Sequence, residues 1–278
     1  MDIFEKQNHL NNLKDAKDSF YKNYKFYKEN IELLDQIINN LEKNMEGDLL
    51  FIKSRSKNFA NKLKLQDLEI RKNFVELNKF NEYDITLLSG LLQSQIANNI
   101  PVLELFPGSG QFLPFVVSAE PLYIADRYIE ICIDASKTLN NEFFSTRRLR
   151  KYEVKNDISE NLPLQSFGLI YCFNEFFMAD EDYILETAKQ VFKLLYDGGK
   201  FIFNFMPHDQ FWAQQMAVNN MFTIVDYKSI INELTLLGYV ITAYEIRQLK
   251  SSYIIAQKSG EPKPRHKISG GWAEIIDL

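Results

Sequence analysis

Residues 102–110 read VLELFPGSG. A short strand-like run carries a carboxylate, Glu104, near its end and passes through Phe106-Pro107 into a Gly-Ser-Gly turn. Gly108 and Gly110 lack a Cβ, so the backbone there can take positive φ and approach a ligand closely. A pyrophosphate is a poor match for an acid at that place, and the loop lacks the full G-x-G-x-x-G fingerprint of dinucleotide sites. A cationic ligand, or one with an amino group, is a better match.

Downstream of this turn, short apolar runs alternate with helical patterns. The strand candidates are 101–106, 121–125, 151–155, 167–173, 199–205, 238–245 and 252–257. Such alternation predicts an α/β domain with a mostly parallel sheet covered on both faces. Ligands bind these sheets at the carboxyl ends of the strands, where the strand order reverses. Asp126 closes the second run, LYIAD, and an acid at that place can accept both ribose hydroxyls. Asp157 follows the third run. Three acids thus surround one crevice, with no basic clamp for phosphates.

On these motifs the sequence resembles the class I, Rossmann-like S-adenosylmethionine-dependent methyltransferases. ELFPGSG is similar to their first motif, a strand-end acid and a Gly-x-Gly loop. The resemblance implies S-adenosylmethionine as cofactor, with Glu104, Gly108 and Gly110 on its methionine part and Asp126 on its ribose. NDISENLPLQSFGLIYC resembles the family's "G-D-A … L-P-F … S-F-D-L-V" segment, which implies that Asp157 meets the adenine amino group. VFKLLYDGGKFIF resembles the "V-L-K-P-G-G" turn, with Gly198 and Gly199 in it. LLGYVI and SYIIAQK resemble the last helix end and the terminal antiparallel hairpin. The implied fold is a Rossmann-like methyltransferase sheet, mostly parallel with an antiparallel last strand, over about 100–258.

Two departures shape the expectation. Phe106 stands where most of the family has a glycine. The F-x-G-x-G form is familiar among enzymes that methylate exocyclic amino groups of bases, but those carry an N/D-P-P-Y/F motif after the fourth strand. Here that place reads CFNEFF, with Asn174 and Glu175. The charge agrees: residues 1–98 are net neutral and the whole −5 falls on 99–278, which repels a phosphate backbone. The expected acceptor is therefore a small molecule or a protein.

Methyl transfer from a sulfonium is an in-line displacement, so positioning and water exclusion carry most of it, with a base where the acceptor must lose a proton. Acceptor-side residues should follow the fourth and fifth strands. Glu175, His208 and Asp209 are the catalytic candidates, and Asn174 joins the cofactor-binding set. His208 has an intrinsic pKa suited to a general base; the alternative is that His208 and Asp209 cap the next helix. Phe211, Trp212 and Met221 line an acceptor pocket or pack locally.

The N-terminal 46 residues have another texture. Ile3, Leu10, Lys17, Tyr24, Ile31, Ile38 and Met45 form one seven-residue series, and Leu13, Phe20, Tyr27, Leu34 and Leu41 a second. Together they make an a/d seam and predict a self-associating coiled coil, the alternative being a long helix packed on its own domain. The expected organisation is a coiled-coil helix at 1–46, a helical region at 47–98 with a second helix over 60–80, the α/β domain at 99–258 and a tail at 259–278. An anchored tail would dock Trp272, Ile275 and Ile276 on a neighbouring surface. Arg147, Arg148, Arg150 and Lys151 form a basic cluster expected at the end of the helix before the third strand.

No run of about 18 apolar residues is present, so no transmembrane helix is expected. Cys132 and Cys172 sit in apolar segments without metal-ligand spacing and suit a reducing compartment. A cytoplasmic setting in a bacterial or virus-infected cell fits, or a virion. A second reading stands beside the enzyme: a methyltransferase-fold module used as a non-catalytic structural or docking subunit of a larger assembly such as a viral particle.

Overall fold

The computed structural model describes residues 10–14, 35, 68–77, 79–96, 100–141, 143, 149–173, 175–210, 212–213, 217, 222–247, 250–260, 267–269 and 274–276. The coiled-coil seam of 1–46 lies almost wholly outside the described residues. Its two described members, Leu10 and Leu13, sit in a helical turn and are buried.

Beyond that turn come α1 (Leu68–Leu77) and α2 (Glu82–Gln95). The chain continues through β1 (Val102–Leu105), β2 (Leu122–Asp126), α3 (Ile129–Ser136), β3 (Leu149–Glu153) and β4 (Phe167–Cys172). Then come α4 (Glu181–Leu194), β5 (Leu195–Asn204), α5 (Tyr227–Leu236), β6 (Tyr239–Glu245) and β7 (Tyr253–Lys258). The seven strands form one sheet in the order β3-β2-β1-β4-β5-β7-β6. Pairings from β3 across to β5 are parallel, and β7 runs antiparallel to both β5 and β6. The expected mostly parallel sheet with an antiparallel closing hairpin is therefore present. The strand order reverses between β1 and β4, which places the crevice above their carboxyl ends.

Helix starts follow local chemistry. Asn81 caps α2 by accepting from the Asp84 N–H at 2.9 Å, and Asp180 caps α4 by accepting from the Tyr183 N–H at 2.9 Å. Asp226 caps α5 through the N–H groups of Lys228 and Ser229.

Side-chain alternation along the strands divides the core in two. Val102, Ile124, Leu169, Tyr171 and Ile202 face one layer, packed with Val75, Leu88, Leu92, Ile131 and Ala135 of α1, α2 and α3. Leu103, Leu105, Ile170, Phe201, Phe203 and Ile254 face the other, with Ile184, Val191, Ile230 and Leu234 of α4 and α5. Burial on both faces explains why the central strands read as continuous apolar runs.

Three local differences from the sequence expectation have physical causes. β5 starts at Leu195, because Leu195 already pairs with Phe167 before a register irregularity lets Lys200 pair with Leu169. Arg150 and Lys151 belong to β3 itself, not to a helix end, and the Arg150 guanidinium stacks 5.1 Å over the Tyr123 ring. Arg147 and Arg148 lie outside the described residues. In the tail, β8 (Lys267–Ser269) and β9 (Glu274–Ile276) pair as a separate antiparallel hairpin. No helix among the described residues is long and apolar enough to cross a membrane.

Candidate functional site

The turn after β1 is built on positive φ. Phe106, Gly108 and Gly110 have φ of 56°, 57° and 74°. The Phe106 N–H donates to the Ala125 carbonyl at 2.7 Å and the Gly110 N–H to the Pro107 carbonyl at 2.9 Å. At Gly110 the missing side chain serves helix packing: a Cβ there would lie 2.4 Å from the Ala135 carbonyl oxygen of α3. The Thr138 hydroxyl, just past α3, donates to the Gly110 carbonyl at 3.0 Å. Phe106 has no such freedom, and a left-handed conformation costs an L-residue roughly 1–2 kcal/mol. Its ring lies buried beneath two guanidinium groups, Arg127 at 4.6 Å and Arg71 at 5.5 Å from the ring centroid. These cation–π contacts offset the backbone strain.

Those two arginines join the acids at the carboxyl ends of β2 and β4. Arg71, on α1, donates from one nitrogen to Asp126 Oδ2 at 3.0 Å and from the other to Glu175 Oε2 at 2.6 Å. Arg127 donates to Glu175 Oε1 at 2.7 Å, and also meets the Tyr183 hydroxyl. Asp126 also accepts from the Tyr128 N–H at 3.4 Å. Arg71, Asp126 and Glu175 are all buried. Burial alone would push Glu175 up, but the two guanidinium groups outweigh it and hold the carboxyl at about 2.

Glu104 behaves oppositely. It pairs in register with Ile124 on β2 and Tyr171 on β4, with 1% of its surface exposed. Burial pushes its carboxyl up from 4.5 to about 8, only partly opposed by the Tyr171 hydroxyl. Glu104 Oε2 and Ser109 Oγ in the glycine turn are buried with no hydrogen-bond partner. Buried polar atoms in native structures are nearly always paired, so orphans on β1 and its exit turn point to a ligand.

The other sequence-predicted residues lie differently. Asp157 accepts from the Ser159 N–H at 2.8 Å and its hydroxyl at 2.5 Å, which hold it below its ordinary range. It also lies 3.6 Å from Lys193, in the last turn of α4, the end that leads into β5. None of these partners is shared with Glu104, Asp126 or Glu175, so this placement gives no support to an adenine contact. Asn174 lies outside the described residues, as do Phe211 and Met221.

His208 and Asp209 form a turn after β5 and join the start of α5. The His208 N–H donates to the Val225 carbonyl at 2.9 Å, and its Nδ1 lies 3.9 Å from Asp226. Asp209 accepts from the Tyr227 hydroxyl at 3.4 Å and lies 3.8 Å from Lys228. A role in holding the start of α5 explains both. Of the three catalytic candidates, only Glu175 sits with the strand-end acids.

Sequence reasoning missed Arg71, Arg127, Ser109 and Lys250. Arg71 had a signal: with Leu68 and Val75 it holds the i, i+3, i+7 positions of one helix face, and that face is apolar apart from it. Lys250 is enclosed by Phe80, Phe177 and Phe222, their ring centroids 5.3, 5.6 and 5.1 Å from Nζ. Burial lowers its ammonium to about 8, against the pull of Asp84. The Lys250 backbone N–H donates to Asp84 at 3.2 Å and its Nζ to the Lys79 carbonyl at 3.3 Å, tying the β6–β7 connection to the start of α2.

No protein-family model matches the chain, and no curated protein matches its sequence. Solved structures share its fold. Magnesium protoporphyrin IX methyltransferase of Synechocystis PCC 6803, with bound SAH, superposes at a TM-score of 0.54 and 11% identity, over 74% of this chain and 100% of that one. The pyocyanin biosynthetic protein PhzM superposes at a TM-score of 0.51 and 13% identity, over 63% of this chain and 55% of that one. At these identities the likeness is one of fold.

The Glu104 carboxyl gives a stability test. The native chain keeps its proton up to about pH 8, whereas the unfolded chain loses it near 4.5. The proton deficit of the unfolded state makes stability fall as pH rises between these values, by at most about 1.4 kcal/mol per pH unit. Denaturant titrations of wild type and Glu104→Gln from pH 5 to 8 should therefore diverge, the variant gaining relative stability with pH. Parallel curves would show Glu104 ionised in the fold.

Proposed function

We propose that the chain is an S-adenosylmethionine-dependent methyltransferase acting on a small molecule or a protein, assembled through its N-terminal heptad region. The observation that carries this reading is the set of orphaned buried polar atoms, Glu104 Oε2 and Ser109 Oγ above all, at the switch point of the sheet. The residues present fit the cofactor's chemistry. Glu104 is an unpartnered acid suited to an ammonium, and Asp126 is a strand-end acid suited to a ribose diol. The neighbouring fold found with SAH in Synechocystis supports the same assignment. When bound, the cofactor supplies an electrophilic methyl group on a sulfonium.

The chain's own residues divide the remaining work. Glu104 receives the amino group and gives up its proton, so one new negative charge meets one positive charge in a buried place. Asp126 holds the ribose hydroxyls. Gly108 and Gly110 set the turn that brings the backbone close. Glu175, ionised at neutral pH, orients Arg71 and Arg127 through short hydrogen bonds. The aromatic cluster of Phe80, Phe112, Phe173 and Phe177 on the α1–α2 side excludes water from the crevice. The acceptor binds beyond the ends of β4 and β5.

A specific observation favours a second reading. Asp126 and Glu175 are already satisfied by Arg71, so the crevice is self-filled, as it would be in a non-catalytic docking subunit. Calorimetry with S-adenosylhomocysteine separates the two. The methyltransferase reading expects binding that strengthens with pH from 6 to about 8, at most tenfold per unit, because Glu104 must ionise. Titrations in buffers of different ionisation enthalpy should show release of up to one proton, lost in Glu104→Gln. A folded chain that binds nothing at any pH supports the docking reading.

The assembly proposal has its own test. Deleting residues 1–46 should lower the number of chains per particle, taken from the light-scattering mass and the mass of the shortened chain, by an integral factor. An unchanged oligomer number, or a monomeric full-length chain, would refute coiled-coil assembly.

A further inference from the structure

A zwitterionic amino-acid group poses a charge problem that the strand-end acids cannot solve. Glu104 answers the ammonium, but the α-carboxylate also needs a counter-charge in a buried crevice. Arg71 and Arg127 are the cations that stack on Phe106 there. Arg127 is committed: it holds Glu175 Oε1 at 2.7 Å, meets the Tyr183 hydroxyl and stacks on the Tyr183 ring at 5.6 Å. Arg71 reaches in from α1, outside the sheet, with one nitrogen on Glu175 and the other on Asp126. Its bond to Asp126 engages an oxygen that the ribose diol would use.

We propose that Arg71 is the partner of the ligand's α-carboxylate, exchanging Asp126 for that carboxylate when the site fills. This deepens the methyltransferase reading and rests on it. Arg71 keeps Glu175 as a pivot through one nitrogen and moves the other. A carboxylate replaces a carboxylate, so the buried guanidinium remains neutralised throughout. Asp126 is freed for the diol in the same motion. Phe106 stays beneath both guanidinium groups and limits the movement to a rotation over its ring. The ligand-free chain thus holds Asp126 and Arg71 in each other's keeping, and a nucleoside without the amino-acid group can free Asp126 only by stranding Arg71.

The test compares S-adenosylhomocysteine with 5′-methylthioadenosine, which keeps the nucleoside thioether and lacks the amino acid, by calorimetry on wild type, Arg71→Met and Arg71→Lys. Wild type should prefer S-adenosylhomocysteine. Arg71→Met should weaken S-adenosylhomocysteine at least tenfold and leave 5′-methylthioadenosine unchanged or tighter. Arg71→Lys keeps the charge without the fork and should lose S-adenosylhomocysteine affinity selectively but less severely; it carries the test where the Met variant does not fold. Tighter binding of both ligands to the variants would make Arg71 a mere plug and overturn the inference. Equal weakening of both would assign it a structural role and overturn it too. Binding of neither ligand to folded wild type would instead bring down the methyltransferase reading itself.

Discussion

The buried bridge from Arg71 to Asp126 and Glu175 fixes how the rest of the molecule is arranged. Two carboxylates at the ends of β2 and β4 are buried, and water cannot stabilise them there. Glu175 remains ionised because guanidinium groups reach it from α1 and from the residue that follows β2, and the one on α1 also bonds Asp126. Removing one partner of such a pair typically costs about 3–5 kcal/mol, since a buried charge is left behind. The helix before the sheet is therefore bound to the crevice by electrostatics as well as by its apolar face. Phe106 completes the arrangement, holding a strained backbone so that its ring can carry both cations.

Two glutamates at the same end of the sheet show what decides a carboxyl's charge. Glu175 and Glu104 are equally buried, yet one is held at about 2 and the other is pushed to about 8. The difference is the counter-cation. Glu175 has two guanidinium groups, whereas Glu104 has a tyrosine hydroxyl and apolar neighbours. A neutral acid with an unmet oxygen is poised for a ligand that brings its own positive charge. The buried Lys250, lowered to about 8 in a phenylalanine box, shows the same desolvation acting on the opposite charge.

Much of the fold was legible because its causes are local. Continuous apolar runs marked the buried strands, and the glycine turn marked the exit of β1. Glu104 and Asp126 could be placed by their position at strand ends. Arg71 could not be paired from sequence, because its partners lie 55 and 104 residues away. Pattern alone also cannot say whether a strand-end acid faces solvent, a ligand or its own chain: Asp126, expected to meet a ribose, is bonded by Arg71. His208 and Asp209 follow a strand end, and the contacts they make there, with Asp226 and Lys228 at the start of α5, could not be read from their position in the sequence. The heptad seam, the strongest periodic signal in the chain, speaks to residues that the structure hardly describes.

The central claim is that this crevice is a ligand site held closed by its own arginine. The most direct measurement is a crystal structure of the chain grown with S-adenosylhomocysteine at millimolar concentration. The account predicts Asp126 on the ribose hydroxyls, Glu104 on the amino group, and Arg71 moved from Asp126 to the carboxylate while still bonded to Glu175. An unchanged Arg71–Asp126 pair with no nucleoside above β1 and β4 would contradict it.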